Sequence, residues 1–116
     1  MAQDRVLHCH SVQEWENNLK EANKQNQLVV VDFTAQWCGP CRVIGPVFNE
    51  LSKKYQNVTF LKVDVDEMKD VTAEWDVQAM PTFLFIKDGK EVARIVGARK
   101  DELEKRIAAL AQSSKA

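Results

Sequence analysis

The stretch "LVVVDFTAQWCGPCRVIGPVFNEL", residues 28–51, holds the decision about the fold. Leu28 to Phe33 form a continuous β-branched and apolar run, the kind that lies in the middle of a sheet covered on both faces. From Cys38 to about Tyr55 the pattern changes. Val43, Ile44, Val47, Phe48 and Leu51 fall on a helical face, and Pro46 is expected to kink it. A buried strand therefore hands over to a helix at Cys38-Gly39-Pro40-Cys41. In open sheets ligands meet the protein outside the carboxyl ends of the strands, so chemistry is expected at this junction.

Upstream, Ser11 followed by Glu14 reads as a capping box. Val12, Trp15, Leu19 and Ala22 recur at helical spacing, which predicts a helix over roughly 11–25 after a short strand around Arg5 to Cys9. Downstream, "NVTFLKVDVD" (57–66) alternates like a strand, and a short helix follows from about Glu67 to Trp75. "TFLFIK" and "EVARIV" flank Asp88-Gly89, a hairpin signal. From about Lys100, Leu103, Ile107, Leu110 and Ala111 mark a final amphipathic helix. The order is β-α-β-α-β-α-β-β-α, an α/β fold with a mixed five-stranded central sheet flanked by four helices. With 116 residues, 45% of them hydrophobic, the chain is expected to be one domain over 1–116 with a short flexible tail at 113–116.

Sixteen basic against seventeen acidic residues leave a net charge of -1, which carries no electrostatic footprint for nucleic acid or an anionic membrane. The first residues, "MAQDRVLHCHSVQEW", lack the apolar run of a secretory signal, and no stretch is long enough to span a bilayer. The protein is therefore expected in the cytosol, where glutathione keeps ordinary thiols reduced and a structural disulfide is out of place. A redox or metal role gains ground for the cysteine pair.

Zinc needs four ligands, and one CxxC supplies two. The remaining candidates are His8, Cys9 and His10, but on a strand Cys9 points opposite to both histidines, so no metal is expected. Covalent haem fails because Arg42, not histidine, follows the pair. Redox chemistry fits better. Residues three apart on a first helical turn share one face and can close a disulfide after modest adjustment. Cys38, at the helix start, meets unpaired N–H groups and the positive dipole end. A free thiol of pKa ~8.5 is only about 3% thiolate at neutral pH; half ionisation needs a shift of ~1.5 units, or about 2 kcal/mol. Helix termini supply up to ~2 kcal/mol in partly buried settings, so no metal is needed. Cys38 is expected to be exposed and nucleophilic. Cys41, one turn further in and less exposed, is expected to stay protonated until it resolves a mixed disulfide. Pro40 suits a first turn because its missing N–H would be unpaired there, and Gly39 leaves the backbone open to a docking partner.

Four collinear motifs, "DFTAQWCGPC", "FLKVDVDE", "AMPTFLFIKDGK" and "VGA", resemble the thioredoxin family over nearly the whole chain. The short N-terminus with "HCHSVQEW", and Thr34, look like the cytosolic h-type thioredoxins of plants. The resemblance implies a thioredoxin fold and a protein-disulfide reductase. It implies that Asp32, at the end of its strand beneath the dithiol, is buried with a raised pKa and exchanges a proton with Cys41; the residues alone leave open an ordinary carboxylate facing water. Lys62 resembles the lysine that neighbours this acid, although it reads equally as a solvated surface lysine. Met80-Pro81 resembles the family's cis-proline turn facing the cysteines, where Ala79 and Met80 pair with an extended substrate segment. Trp37, Gly39, Pro40, Ala79, Met80, Pro81, Gly97 and Ala98 would form the docking surface; Gly97 alternatively reads as a tight bend and Trp37 as a packed aromatic.

No dinucleotide fingerprint or flavin site is present, so no cofactor is expected to be bound. The resemblance implies electrons from NADPH through a separate thioredoxin reductase, disulfide-containing proteins as targets, and a monomer. Cys9 reads as a small buried hydrophobe or as a regulatory thiol open to oxidation, with His8 and His10 at the surface. The acidic residues Asp64, Asp66, Glu67 and Asp70 lack the spacing of a calcium loop and read as capping and a solvated face. Two rivals use the same features: a disulfide oxidase or isomerase would share the dithiol, and a chaperone or binding subunit would use the docking surface alone.

Overall fold

The apolar run does become a central strand. In the computed structural model, which describes residues 3–113, β2 (Leu28–Thr34) is flanked by β3 (Val58–Asp64) in parallel and by β4 (Thr82–Lys87) in antiparallel pairing. Every residue of β2 except Thr34 is buried. The short β1 (Leu7–Cys9) adds to β3 in parallel and β5 (Lys90–Val96) adds to β4 antiparallel, so the sheet order is β1-β3-β2-β4-β5. The helices are α1 (Val12–Lys24), α2 (Gly39–Lys54), α3 (Lys69–Glu74) and α4 (Lys100–Ser113). The element order matches the expected one. The polar tail expected at 113–116 lies, beyond Ser113, outside the described residues.

Strand alternation divides the core into two layers. Val29, Val31 and Phe33 pack with Trp15 and Ala22 of α1 and Val71 of α3, whereas Leu28 and Val30 pack with Ile44, Phe48 and Leu51 of α2 and Leu103 and Ile107 of α4. Asp32 shares the parity of the second set. Phe48 anchors that layer, edge-on to Phe60 and tilted against Phe83 at ring separations of 5.2 and 5.6 Å.

Local signals account for the boundaries. Ser11 Oγ accepts the Glu14 N–H at 3.1 Å and starts α1, while the Glu14 carboxylate takes the His10 N–H rather than that of Ser11, so the capping box is displaced by one residue. Asp88 and Gly89 both adopt positive φ, the condition for a two-residue turn that matches strand twist, and close the β4–β5 hairpin. Two expected core positions face out instead. Val43 is 76% exposed because Ile44, Phe48 and Leu51, at i, i+4 and i+7, are the stripe that meets the sheet, and Val43 stands about 100° away from Ile44. Val12, on the first turn of α1, is 44% exposed. Pro46 sits inside α2 without ending it.

Candidate active site

The strand-to-helix handover sets the geometry of the dithiol. Cys38 keeps extended backbone angles, φ -94° and ψ 109°, and is the N-cap of α2. Its Sγ accepts the Cys41 N–H at 3.2 Å, the role an Asp or Ser oxygen ordinarily plays at this position. The two Cα atoms are 5.3 Å apart and the sulfurs lie within bonding distance. Pro40 occupies the first turn, as expected. A Cβ at Gly39 would meet nothing within 4 Å, so the fold itself does not demand glycine there.

The expected contrast in exposure between the two cysteines is absent. Both residues are 4% exposed in the bonded pair. They differ in hydrogen bonding instead: the Cys38 sulfur receives a helix N–H and lies 3.6 Å from the Met80 carbonyl oxygen, both consequences of its N-cap position facing the next loop.

That loop carries a cis Met80–Pro81 bond. Pro81 is buried, Met80 is half-buried and Ala79 is exposed; the Ala79 carbonyl accepts from the Thr82 hydroxyl. Gly97 donates its N–H to the Pro81 carbonyl at 2.8 Å and adopts φ +101°, a conformation that explains the glycine at this bend. Ala98 follows on the surface. The loops bearing residues 79–81 and 97–98 are thus held side by side, with the Met80 carbonyl next to the Cys38 sulfur.

Asp32 is not at a strand end, because β2 continues to Thr34. It is 1% exposed, and its Oδ1 has no hydrogen-bond partner among the described residues. Burial pushes its carboxyl up to about 7, opposed by the charge of Lys62. Lys62 is its register partner on β3 and is half-buried rather than freely solvated.

Trp37 is not a packed aromatic: it is 65% exposed, with its indole Nε1 donating to Asp66 Oδ2 at 2.9 Å. The acidic run is correspondingly more than a solvated face. Asp64 Oδ1 accepts the N–H of Asp66 and of Glu67, which holds Asp66 under the indole, and Glu67 pairs with His10 Nδ1 at 2.9 Å. Asp66 had no sequence signal as a partner of Trp37, being 29 residues away on another loop. Cys9 is 1% exposed, with Asn18 Nδ2 3.5 Å from its sulfur, and burial pushes its thiol pKa up. His8 and His10 are at the surface, their rings stacked at 6.3 Å.

Comparison with known proteins agrees with this geometry. The family model described as Thioredoxin matches residues 6–109. The chain is 62% identical over 114 residues to Thioredoxin H-type of Picea mariana, covering 98% of this chain and 91% of that protein. It is 57% identical over 104 residues to Thioredoxin H1 of Arabidopsis thaliana, covering 90% and 91%. Among solved structures, thioredoxin NaTrxh of Nicotiana alata superposes with a TM-score of 0.88 at 52% identity, covering 94% of this chain and 95% of that one. With its dithiol at a helix N-cap, its five-stranded mixed sheet and these relatives, the chain belongs to the thioredoxin family of disulfide oxidoreductases, alongside the h-type thioredoxins of plants.

Proposed function

We propose that the protein reduces disulfides of other proteins with Cys38 as the attacking thiolate and Cys41 as the resolving thiol. The observation that carries this reading is the N–H of Cys41 aimed at the Cys38 sulfur at 3.2 Å. A hydrogen bond to a charged group contributes about 1.5–3 kcal/mol, comparable to the ~2 kcal/mol that half ionisation at neutral pH requires.

The Cys38 thiolate attacks one sulfur of the target disulfide, forming a mixed disulfide and releasing the other sulfur as thiolate. Asp32 takes the proton of Cys41, whose sulfur then attacks Cys38; the Cys38–target bond breaks as the Cys38–Cys41 bond forms, and the second target thiolate leaves and is protonated. Two electrons pass to the target, and the protein is left oxidised. Lys62 faces the Asp32 carboxyl and moderates its proton affinity. Trp37, Gly39, Pro40, Ala79, Met80, Pro81, Gly97 and Ala98 form the docking surface, with the Ala79–Met80 backbone pairing with an extended target segment.

An NADPH-dependent thioredoxin reductase returns the electrons, and the protein acts as a monomeric single domain in the cytosol. No helix among the described residues is long and apolar enough to cross a membrane. The test is capture of targets by each reduced variant from an extract freed of reductant, in which target disulfides are intact. Cys41→Ser is expected to accumulate mixed disulfides identifiable by mass spectrometry, and Cys38→Ser none. The reverse pattern would overturn the assignment of the nucleophile. Asp32→Asn is expected to slow release of reduced target; unchanged turnover would leave Asp32 a structural residue only.

A further inference from the structure

The parallel ladders place three ionisable side chains in one row across neighbouring strands. His8 is the register partner of Lys62, and Lys62 is the register partner of Asp32. Cys9 is buried in the α1/α3 layer, so alternation turns His8 to the opposite side of the sheet, where α2 packs and where Asp32 points. A groove beside α2 is lined by Cys41, Pro46, Asn49, Lys62 and His8. Along the row the environment changes steadily: His8 is exposed, Lys62 half-buried and Asp32 sealed.

Burial is the main influence on when the Asp32 carboxyl ionises, and with no hydrogen-bond partner for its Oδ1 among the described residues, nearby charges are what adjust it. Lys62 is the charged group facing it. Lys62 also faces His8, whose charge is further influenced by His10, just beyond β1, and by Asp4 on the N-terminal segment, while Asp64, Asp66 and Glu67 line the same groove. On the α2 side of the groove, Arg42 turns its guanidinium to the Gln36 carbonyl.

We propose that His8 is a positioning residue for the dithiol reaction, governing through Lys62 how far into the acid range the buried Asp32 keeps its charge. The proposal rests on the reading of Asp32 as the proton acceptor from Cys41. When His8 is protonated, it adds a second cation to the row and repels the Lys62 ammonium from the solvent side, and both effects favour the Asp32 carboxylate. When His8 is neutral, the ammonium is free to lean towards water. Burial and the Lys62 charge hold the imidazole pKa below its ordinary value, so His8 is neutral at neutral pH and charges as the medium turns acid. Ionised Asp32 thereby persists further into the acid range than an isolated buried carboxyl would allow.

The test uses fixed charges at an exposed position, His8→Lys and His8→Glu, with His8→Gln as the neutral case. The Asp32 carboxyl carbon is followed by NMR in the reduced protein, its resonance assigned by its loss in Asp32→Asn, and insulin reduction is measured over the same pH range. Two strand spacings separate His8 from Asp32, roughly 10 Å, and a full charge there should move the midpoint by about half a pH unit. His8→Lys is expected to lower the Asp32 midpoint by that amount, His8→Glu to raise it, and His8→Gln to sharpen the titration on its acid side. Coincident titrations in all four proteins would overturn the inference. Separately, an Asp32→Asn protein that reduces insulin like its parent would remove Asp32 from the reaction, while the NMR midpoints would still decide whether His8 governs its charge.

Discussion

Replacing Asp32 by asparagine should stabilise the folded protein, and the gain should grow with pH. The carboxyl is 1% exposed, and burial raises its pKa from 3.8 to about 7. Below about pH 4 the group is protonated in both folded and unfolded chains and contributes no difference. As pH rises from 4 to 7 the unfolded chain releases this proton while the folded chain retains it, so the folded state binds more protons and stability falls. Above 7 both forms are ionised, and the folded state carries the whole penalty of a buried carboxylate. A displacement of about three pH units corresponds to roughly 4 kcal/mol, the ceiling on the gain from removing the charge. Urea unfolding of the oxidised parent and Asp32→Asn proteins at pH 4, 6 and 8 measures it, with equal m-values securing the comparison. The two curves should nearly coincide at pH 4 and separate progressively to pH 8. A separation that is constant across this range would refute the claim that ionisation of a buried carboxyl is the source.

Asp66→Asn, which weakens the bond holding the Trp37 indole, is expected to raise KM for a protein disulfide a few-fold while leaving kcat unchanged; an equal fall in kcat would place the loop in the chemistry instead. Arg5→Ala removes guanidinium bonds to the carbonyls of Ser52, Tyr55 and Gln56 at the end of α2, which should cost about 1–2 kcal/mol of stability by urea titration, and no loss would show the clip to be idle. The Cys9 thiol, buried and with a raised pKa, should react with iodoacetamide far more slowly than a free cysteine until the protein is unfolded; rapid native labelling would show that β1 opens readily.

Much of the molecule was legible in one dimension because its signals are local. The Ser11 hydroxyl, the Asp88-Gly89 turn and the unbroken run at 28–33 each act on residues a few positions away, and each produced its element within a residue or two of the expected bounds. The cysteine pair belongs to the same class, since an N-cap sulfur and the N–H three residues on are brought together by the first turn of one helix. Periodicity was less decisive on the surface. Val43 and Ile44 are equally apolar neighbours, and only the direction from which the sheet approaches α2 decides that one is core and the other solvent-facing.

The sequence by itself determined the order of the elements and the dithiol at a helix N-terminus, because propensity, capping and three-residue spacing are properties of contiguous chain. Tertiary structure alone decided that Asp32 is sealed without a hydrogen-bond partner for its Oδ1 among the described residues, that Asp66 grips Trp37, and that His8, Lys62 and Asp32 form a row. Those relations depend on strand register and loop placement, which are set by the packing of both faces of the sheet at once, and a side chain's charge depends on what surrounds it rather than on what precedes it.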